Sequence, residues 1–226
     1  MVRGMLLSVA IAAAVAFPAG GTYTYAIATP GAAFTSTIVI APSPDGIRTH
    51  ETFGAASPMV ETDQQFDDDL GERSFVALQN GKTLTIDVSP TEAHYAIEGN
   101  SADTALDHSA CTLIDDNILT ESLMLPAIVQ ATHATQCTFV VSTSPRTIVA
   151  DLTTSIPATR PAQASASDSA VTVHLGPITE IVWYDPRSLI PDYMDFGHAQ
   201  SATLTGSSPS TSMPAPALAP APAATP

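Results

Sequence analysis

The chain has 226 residues, 45% of them hydrophobic, and a formal net charge of −15 from 22 acidic against 7 basic side chains. That length gives one domain with appendages. The charge excludes nucleic acid, whose phosphates call for Lys and Arg, and argues against anionic membrane surfaces; the apolar content argues against disorder throughout.

The N-terminus reads as an export signal. Arg3 supplies a basic start, Met5 to Ala13 an apolar run, and Ala14-Val15-Ala16 an A-x-A cleavage pattern, so a signal peptide is expected over residues 1–16. Pro18, Gly20 and Gly21 come next, which suits a processed signal better than a permanent span of ~20 apolar residues. The alternative is an uncleaved anchor reaching residue 28, the one way in which this chain would engage a membrane. In both cases the body is expected outside the cytoplasm, secreted or associated with the cell envelope. Asn80, Asn100 and Asn117 lie outside any Asn-x-Ser/Thr acceptor sequence.

Beyond this leader the chain reads mostly as β. Phe34 to Ile40 is strand-like, and residues 41–72 read as a long loop. Within that loop Glu61, Asp63, Asp67, Asp68, Asp69 and Glu72 crowd together. Carboxylates at this density suggest oxygen ligands for calcium, with Asp67, Asp69 and Glu72 the candidates, although Gly71 stands where an EF-hand loop places its third ligand. The plainer reading is a solvated acidic loop. Ser74 to Val88 then forms the clearest local signal. Asn80-Gly81 supplies the positive φ angles of a two-residue type I′ turn, which sets Gln79 opposite Lys82, Ala77 opposite Leu84 and Phe75 opposite Ile86. One face thereby carries Phe75, Ala77, Leu84 and Ile86.

Further strands are expected at His94–Glu98, Cys111–Ile114, Cys137–Ser142, 146–153, 170–175 and 178–184. Cys111 and Cys137 each open a Cys-Thr-apolar-apolar run, and two cysteines in an exported chain predict one disulfide, with both sulfurs beside Leu113 and Phe139. Asp107, Asp115 and Asp116 near Cys111 disfavour a reactive thiolate. Between the two runs, Asp115-Asp116 could cap a short helix from Asn117, broken near Pro126 because proline lacks the N–H that a helix interior requires. Residues 155–169, rich in Pro, Ser and Ala, read as a loop. The tail is uncharged from Ser207 onward and Pro/Ala-rich, so residues 199–226 are expected to be disordered and PPII-like, a spacer or a passive end. The predicted domain is therefore all-β, an antiparallel sandwich or barrel-like fold over residues 29–198 with one short helical segment.

Chemical signatures are sparse. The chain lacks G-x-S-x-G, H-E-x-x-H, the Walker loop and G-x-G-x-x-G, so no nucleotide, cofactor or standard hydrolase centre is expected. His94 and Glu98 fall on one strand face and would need a third partner to act. Trp183, Tyr184, Tyr193 and Phe196, beside Asp185, Asp192 and Asp195, form an aromatic–acidic segment suited to a sugar ring or a protein surface; the alternative is that Trp183 is a core residue under a packed cover. The expectation is thus a non-enzymatic binding or structural module for an envelope protein or glycan. The rival is a secreted hydrolase whose carboxylates or His converge only in the fold.

Overall fold

The computed structural model describes residues 18–57, 59–106, 111–115 and 119–209. The expected signal peptide and most of the expected tail lie outside these residues. The chain forms β1 (Gly21–Ala28), β2 (Ala33–Ser43), β3 (Gly46–Phe53), β4 (Met59–Phe66), β5 (Glu72–Gln79), β6 (Lys82–Val88), β7 (Glu92–Ile97) and β8 (Asn100–Ala105). It continues with β9 (Thr112–Asp115), α1 (Thr120–Thr132), β10 (Gln136–Val141), β11 (Thr147–Thr153), β12 (Ser169–Leu175), β13 (Ile178–Tyr184), β14 (Pro191–Gly197) and β15 (Gln200–Pro209).

All the strands among the described residues join one 15-stranded sheet, ordered β8-β7-β6-β5-β4-β3-β2-β1-β15-β14-β13-β12-β11-β10-β9. The all-β, mainly antiparallel architecture, with one helix among the described residues, is the one expected from the sequence. Its centre is the β1–β15 pair, in which Gly21 stands opposite Pro209 and Ala28 opposite Ser201. The folded unit therefore runs wider than residues 29–198: a segment read as a possible anchor and the first part of the expected tail are its two middle strands. Their Thr, Ser and Ala content suits them to a pleated surface, where Tyr25 and Ile27 point into the core.

The β5–β6 hairpin has the predicted register, with Asn80 (φ 52°) and Gly81 (φ 74°) at its turn. Residues 41–72, expected as a loop, instead complete β2 and form β3 and β4. Their inward positions are largely polar: Thr49, Glu51, Thr62 and Gln64 are all buried. The usual apolar alternation is consequently missing from the sequence. Residues 154–168 connect β11 to β12, and Ser169 already belongs to β12.

β9, α1 and β10 form a β-α-β unit, since β9 and β10 run parallel and a parallel pair needs a crossover. The helix lies inside the curl of the sheet, with every residue from Thr120 to Val129 buried. An apolar helix without a polar face belongs in such a place. It runs through Pro126 rather than breaking there; the loss of one donor is tolerated because packing surrounds the helix on all sides. Cys111 and Cys137 are joined in a disulfide, Cα–Cα 4.7 Å, across the adjacent starts of β9 and β10. Both belong to the main core together with Leu113 and Phe139, as the repeated Cys-Thr-apolar-apolar pattern implies.

The opposite faces of β9 and β10 contribute Ile114 and Val140 to a second core with Phe75, Ile86 and Tyr95. The edge of the sheet thus tucks against the inner face of β5–β7, and β10 is covered on both sides. Cross-links hold it there: the Ile114 N–H donates to Glu72 Oε2 at 2.7 Å, and the Tyr95 hydroxyl donates to the Val141 carbonyl at 3.0 Å.

Antiparallel meanders place alternate connections at alternate ends. The turns β1–β2, β3–β4, β5–β6, β7–β8, β10–β11, β12–β13 and β14–β15 gather at one end, with the start of α1 below them. The disulfide, Gly21, Pro209 and the 154–168 loop lie at the other.

Candidate functional site

The turn-bearing end opens into a cavity of about 680 Å³, within the range of small-molecule sites. Strand register builds one wall. Phe75, Ile86, Tyr95 and Ala102 lie in one row across β5–β8; Ala77, Leu84, Ile97 and Asn100 form the next row outward, and Gln79 pairs with Lys82 at the rim. Small Ala77 and Ala102 leave the space that Phe75 and Leu84 border. Ile27, Phe34, Met59 and Phe196 line other parts of the wall, and Leu119, just before α1, reaches the cavity from within.

Polar groups lie at the rim. Asn80 belongs to the β5–β6 turn, Asn100 comes just after the β7–β8 turn, and Ser142 to Ser144 belong to the β10–β11 connection. Among the described residues lining the cavity, Lys82 is the one that carries a charge. Its Nζ lies 2.8 Å from Glu98 Oε2, bridging two neighbouring hairpin turns, and its side chain remains 55% exposed.

Beneath the cavity a polar patch ties the helix to the sheet. Buried Glu51 on β3 accepts from the Ser36 hydroxyl and, at 2.9 Å, from the Thr120 hydroxyl on the first turn of α1. The helix start is held by a strand carboxylate, as Leu119 provides no side-chain cap.

A second cavity, of about 690 Å³, lies at the opposite end and is lined by Asp168, Asp185, Arg187 and Asp192 among others. Asp168 is 2% exposed; its Oδ2 accepts the Ser165 N–H at 2.7 Å. Burial, and then the nearby Asp168 carboxylate, raise the Asp192 pKa to about 6. Glu180 on β13 is raised further, to about 7, first by burial and then by Asp115.

The residues singled out from the sequence are dispersed. Asp67 accepts the N–H groups of Asp69 and Gly71 and pairs with Arg73, whereas Glu72 points inward to β9. The calcium candidates Asp67, Asp69 and Glu72 therefore do not converge, and no His, Cys, Asp and Glu cluster of metal-site size occurs among the described residues. His94 pairs with Asp103 across β7–β8, and Glu98 turns to Lys82 instead.

The aromatic segment is split between the faces of the sheet. Trp183 is 1% exposed, packed on Ala164 and Ala170, with the Arg160 guanidinium 4.5 Å from its ring centroid. Tyr193 packs beside it, Tyr184 enters the main core, and Phe196 lines the apolar cavity. Trp183 is thus a core residue under a packed cover, one of the two readings its sequence allowed, with the 154–168 loop lying over its ring. Of the four aromatics, Phe196 is the one placed at a cavity wall. Sequence reading left out Phe34, Met59 and Ile97, whose signal was an apolar residue beside a turn.

The chain matches no protein-family model, and no curated protein matches its sequence.

Proposed function

We propose that this is an exported, non-enzymatic binding module that takes up a small apolar molecule in the cavity at the turn-bearing end. The observation carrying this reading is a mostly apolar cavity of about 680 Å³ with polar groups confined to its rim. A pocket of this kind gains affinity from the apolar area it removes from water and orientation from a few polar groups. Its described lining holds no carboxylate or imidazole for acid–base work. Export is supported by the n-region at Arg3, the A-x-A pattern at Ala14–Ala16 and the disulfide, which persists in oxidising compartments. An envelope protein or glycan remains the proposed environment, with the Pro/Ala-rich segment after Pro209 as spacer. Titration with the uncharged dye Nile red tests the cavity. Binding should be saturable and lost in Ala102→Trp, which fills the space from an edge strand; equal binding by that variant defeats the proposal.

The secreted-hydrolase reading has one observation in its favour, the Asp168–Asp192 carboxyl pair in the second cavity. A carboxyl that burial and a neighbouring carboxylate keep protonated, as at Asp192, is a candidate general acid for hydrolysis. Release of reducing sugar from a polysaccharide panel at mildly acidic pH, abolished in Asp192→Asn, would establish it; no release from any member would reject it.

A further inference from the structure

We infer that the occupant of the apolar cavity is a single-chain amphiphile with an anionic head, its chain lying along the Phe75, Ala77 and Leu84 face and its head at Lys82. This rests on the cavity being a ligand site and adds the ligand's class. The sign of charge carries it. A chain of net charge −15 has one lysine, Lys82. That lysine stands at the rim, and the other described lining residues are neutral. Its position is set by register: Lys82 lies on the same strand face as Leu84 and Ile86, opposite Gln79. Its stem thus continues the apolar wall while its ammonium reaches the opening, the arrangement by which lysine joins apolar surface to water.

The neighbouring groups suit the same head. The amides of Asn80 and Asn100 flank Lys82 at the rim and can donate hydrogen bonds to carboxylate or phosphate oxygens. Glu98, 2.8 Å from Lys82 Nζ, is the competing anion. It stands on an exposed hairpin turn, where an ion pair contributes little and can be exchanged. An arriving anionic head shares or displaces Glu98, whereas a cationic head would meet Lys82, with Glu98 already engaged in pairing that ammonium. The chain is single because the cavity, lined by the β5–β8 rows together with Phe34 and Phe196, has a volume of about 680 Å³, which suits one aliphatic tail rather than a bulky lipid.

The test uses the purified oxidised protein and displacement of Nile red by hexadecanoate, hexadecyl phosphate, hexadecanol and hexadecyltrimethylammonium, each below its aggregation threshold. The two anions should bind more tightly than the alcohol, and the cation most weakly. Their relative strength separates a carboxylate from a phosphate head. Shortening the tail should weaken binding by roughly fourfold per methylene. Lys82→Gln should reduce the anion-over-alcohol ratio by roughly fivefold, and Glu98→Gln should raise that ratio. If hexadecanol binds as well as the anions, or Lys82→Gln leaves the ratio intact, the head-group assignment fails while the cavity reading stands. If Nile red fails to bind saturably, or Ala102→Trp binds it equally, the cavity reading fails and takes this inference with it. Ile97→Gln, at a half-exposed lining position, should also weaken every chain and provides the check should Ala102→Trp not fold. Occupation by a second copy of the protein would appear as concentration-dependent self-association abolished by Ile97→Gln, and would overturn the assignment.

Discussion

Glu72 on β5 accepts the backbone N–H of Ile114 on β9 at 2.7 Å, across the inside of a sheet whose strand order sets these two strands far apart. The bond joins the sheet's tucked edge to its inner face and gives a buried carboxylate a donor, without which its burial would be costly. Glu72→Ala should therefore lower stability by about 2–3 kcal/mol in urea unfolding, and Glu72→Gln, which retains an acceptor, by clearly less. Equal losses in the two variants would show that packing rather than this bond matters.

The Cys111–Cys137 disulfide closes a sequence separation of 26 residues. Replacing both cysteines by alanine should cost about 3–4 kcal/mol by the chain-entropy relation. Because the bridge lies at the start of the β9–β10 pair, hydrogen exchange should accelerate first in β9, α1 and β10. Uniform acceleration would mean that the unit does not open separately.

Stability should decline between acidic and neutral pH. Glu180 is raised to about 7 from 4.5, and Asp192 to about 6 from 3.8. Between the unfolded and folded values the folded state holds more protons, so stability falls as pH rises. The melting temperature should be higher near pH 4.5 than near pH 7.5 as far as these two groups contribute. Glu180→Gln should flatten the slope and stabilise the protein at neutral pH by about 1–2 kcal/mol. A variant with the wild-type slope would show that Glu180 titrates normally.

Gly46 turns β2 into β3 at φ 127°, where an added Cβ would collide with the Phe66 carbonyl oxygen. Gly46→Ala should destabilise by about 2–3 kcal/mol, whereas Gly81→Ala, with open space around its Cβ position at φ 74°, should cost less. Chemical denaturation of the two variants side by side measures the difference.

Trp183→Ala should act on folding rather than recognition. The ring is buried beneath Arg160 and Ala164, so its removal should cost about 3–5 kcal/mol and leave Nile red binding by the folded fraction unchanged. Altered dye affinity at full folding would place the ring's influence at the cavity.

The parts of this fold that could be read from the chain are those with local causes. Asn80-Gly81 dictates its turn and thereby a register that places Phe75 and Ile86 side by side. The Cys-Thr-apolar-apolar runs align because β9 and β10 are neighbours. β3 and β4 escaped because Thr49, Glu51, Thr62 and Gln64 face inward, so apolar alternation, the main strand signal, is absent there. β15 escaped because its Ser and Thr residues resemble the adjoining tail. α1 passes through Pro126 because the surrounding sheet outweighs a local preference. The cavity belongs to no segment. It arises where the Asn80, Glu98 and Ser142–Ser144 turns meet, a proximity set by strand order across the whole sheet. Trp183 could be read either as a ligand platform or as a core residue, because whether a strand's aromatic faces water depends on the 154–168 loop folding back over it.

Gly21 and Pro209 stand opposite each other, at the end of the sheet away from the Asn80 and Asn100 rim. A fusion partner, affinity handle or surface linkage attached beyond either strand therefore begins at the end away from the apolar cavity, and a molecule immobilised in this way presents that opening to the bulk solution.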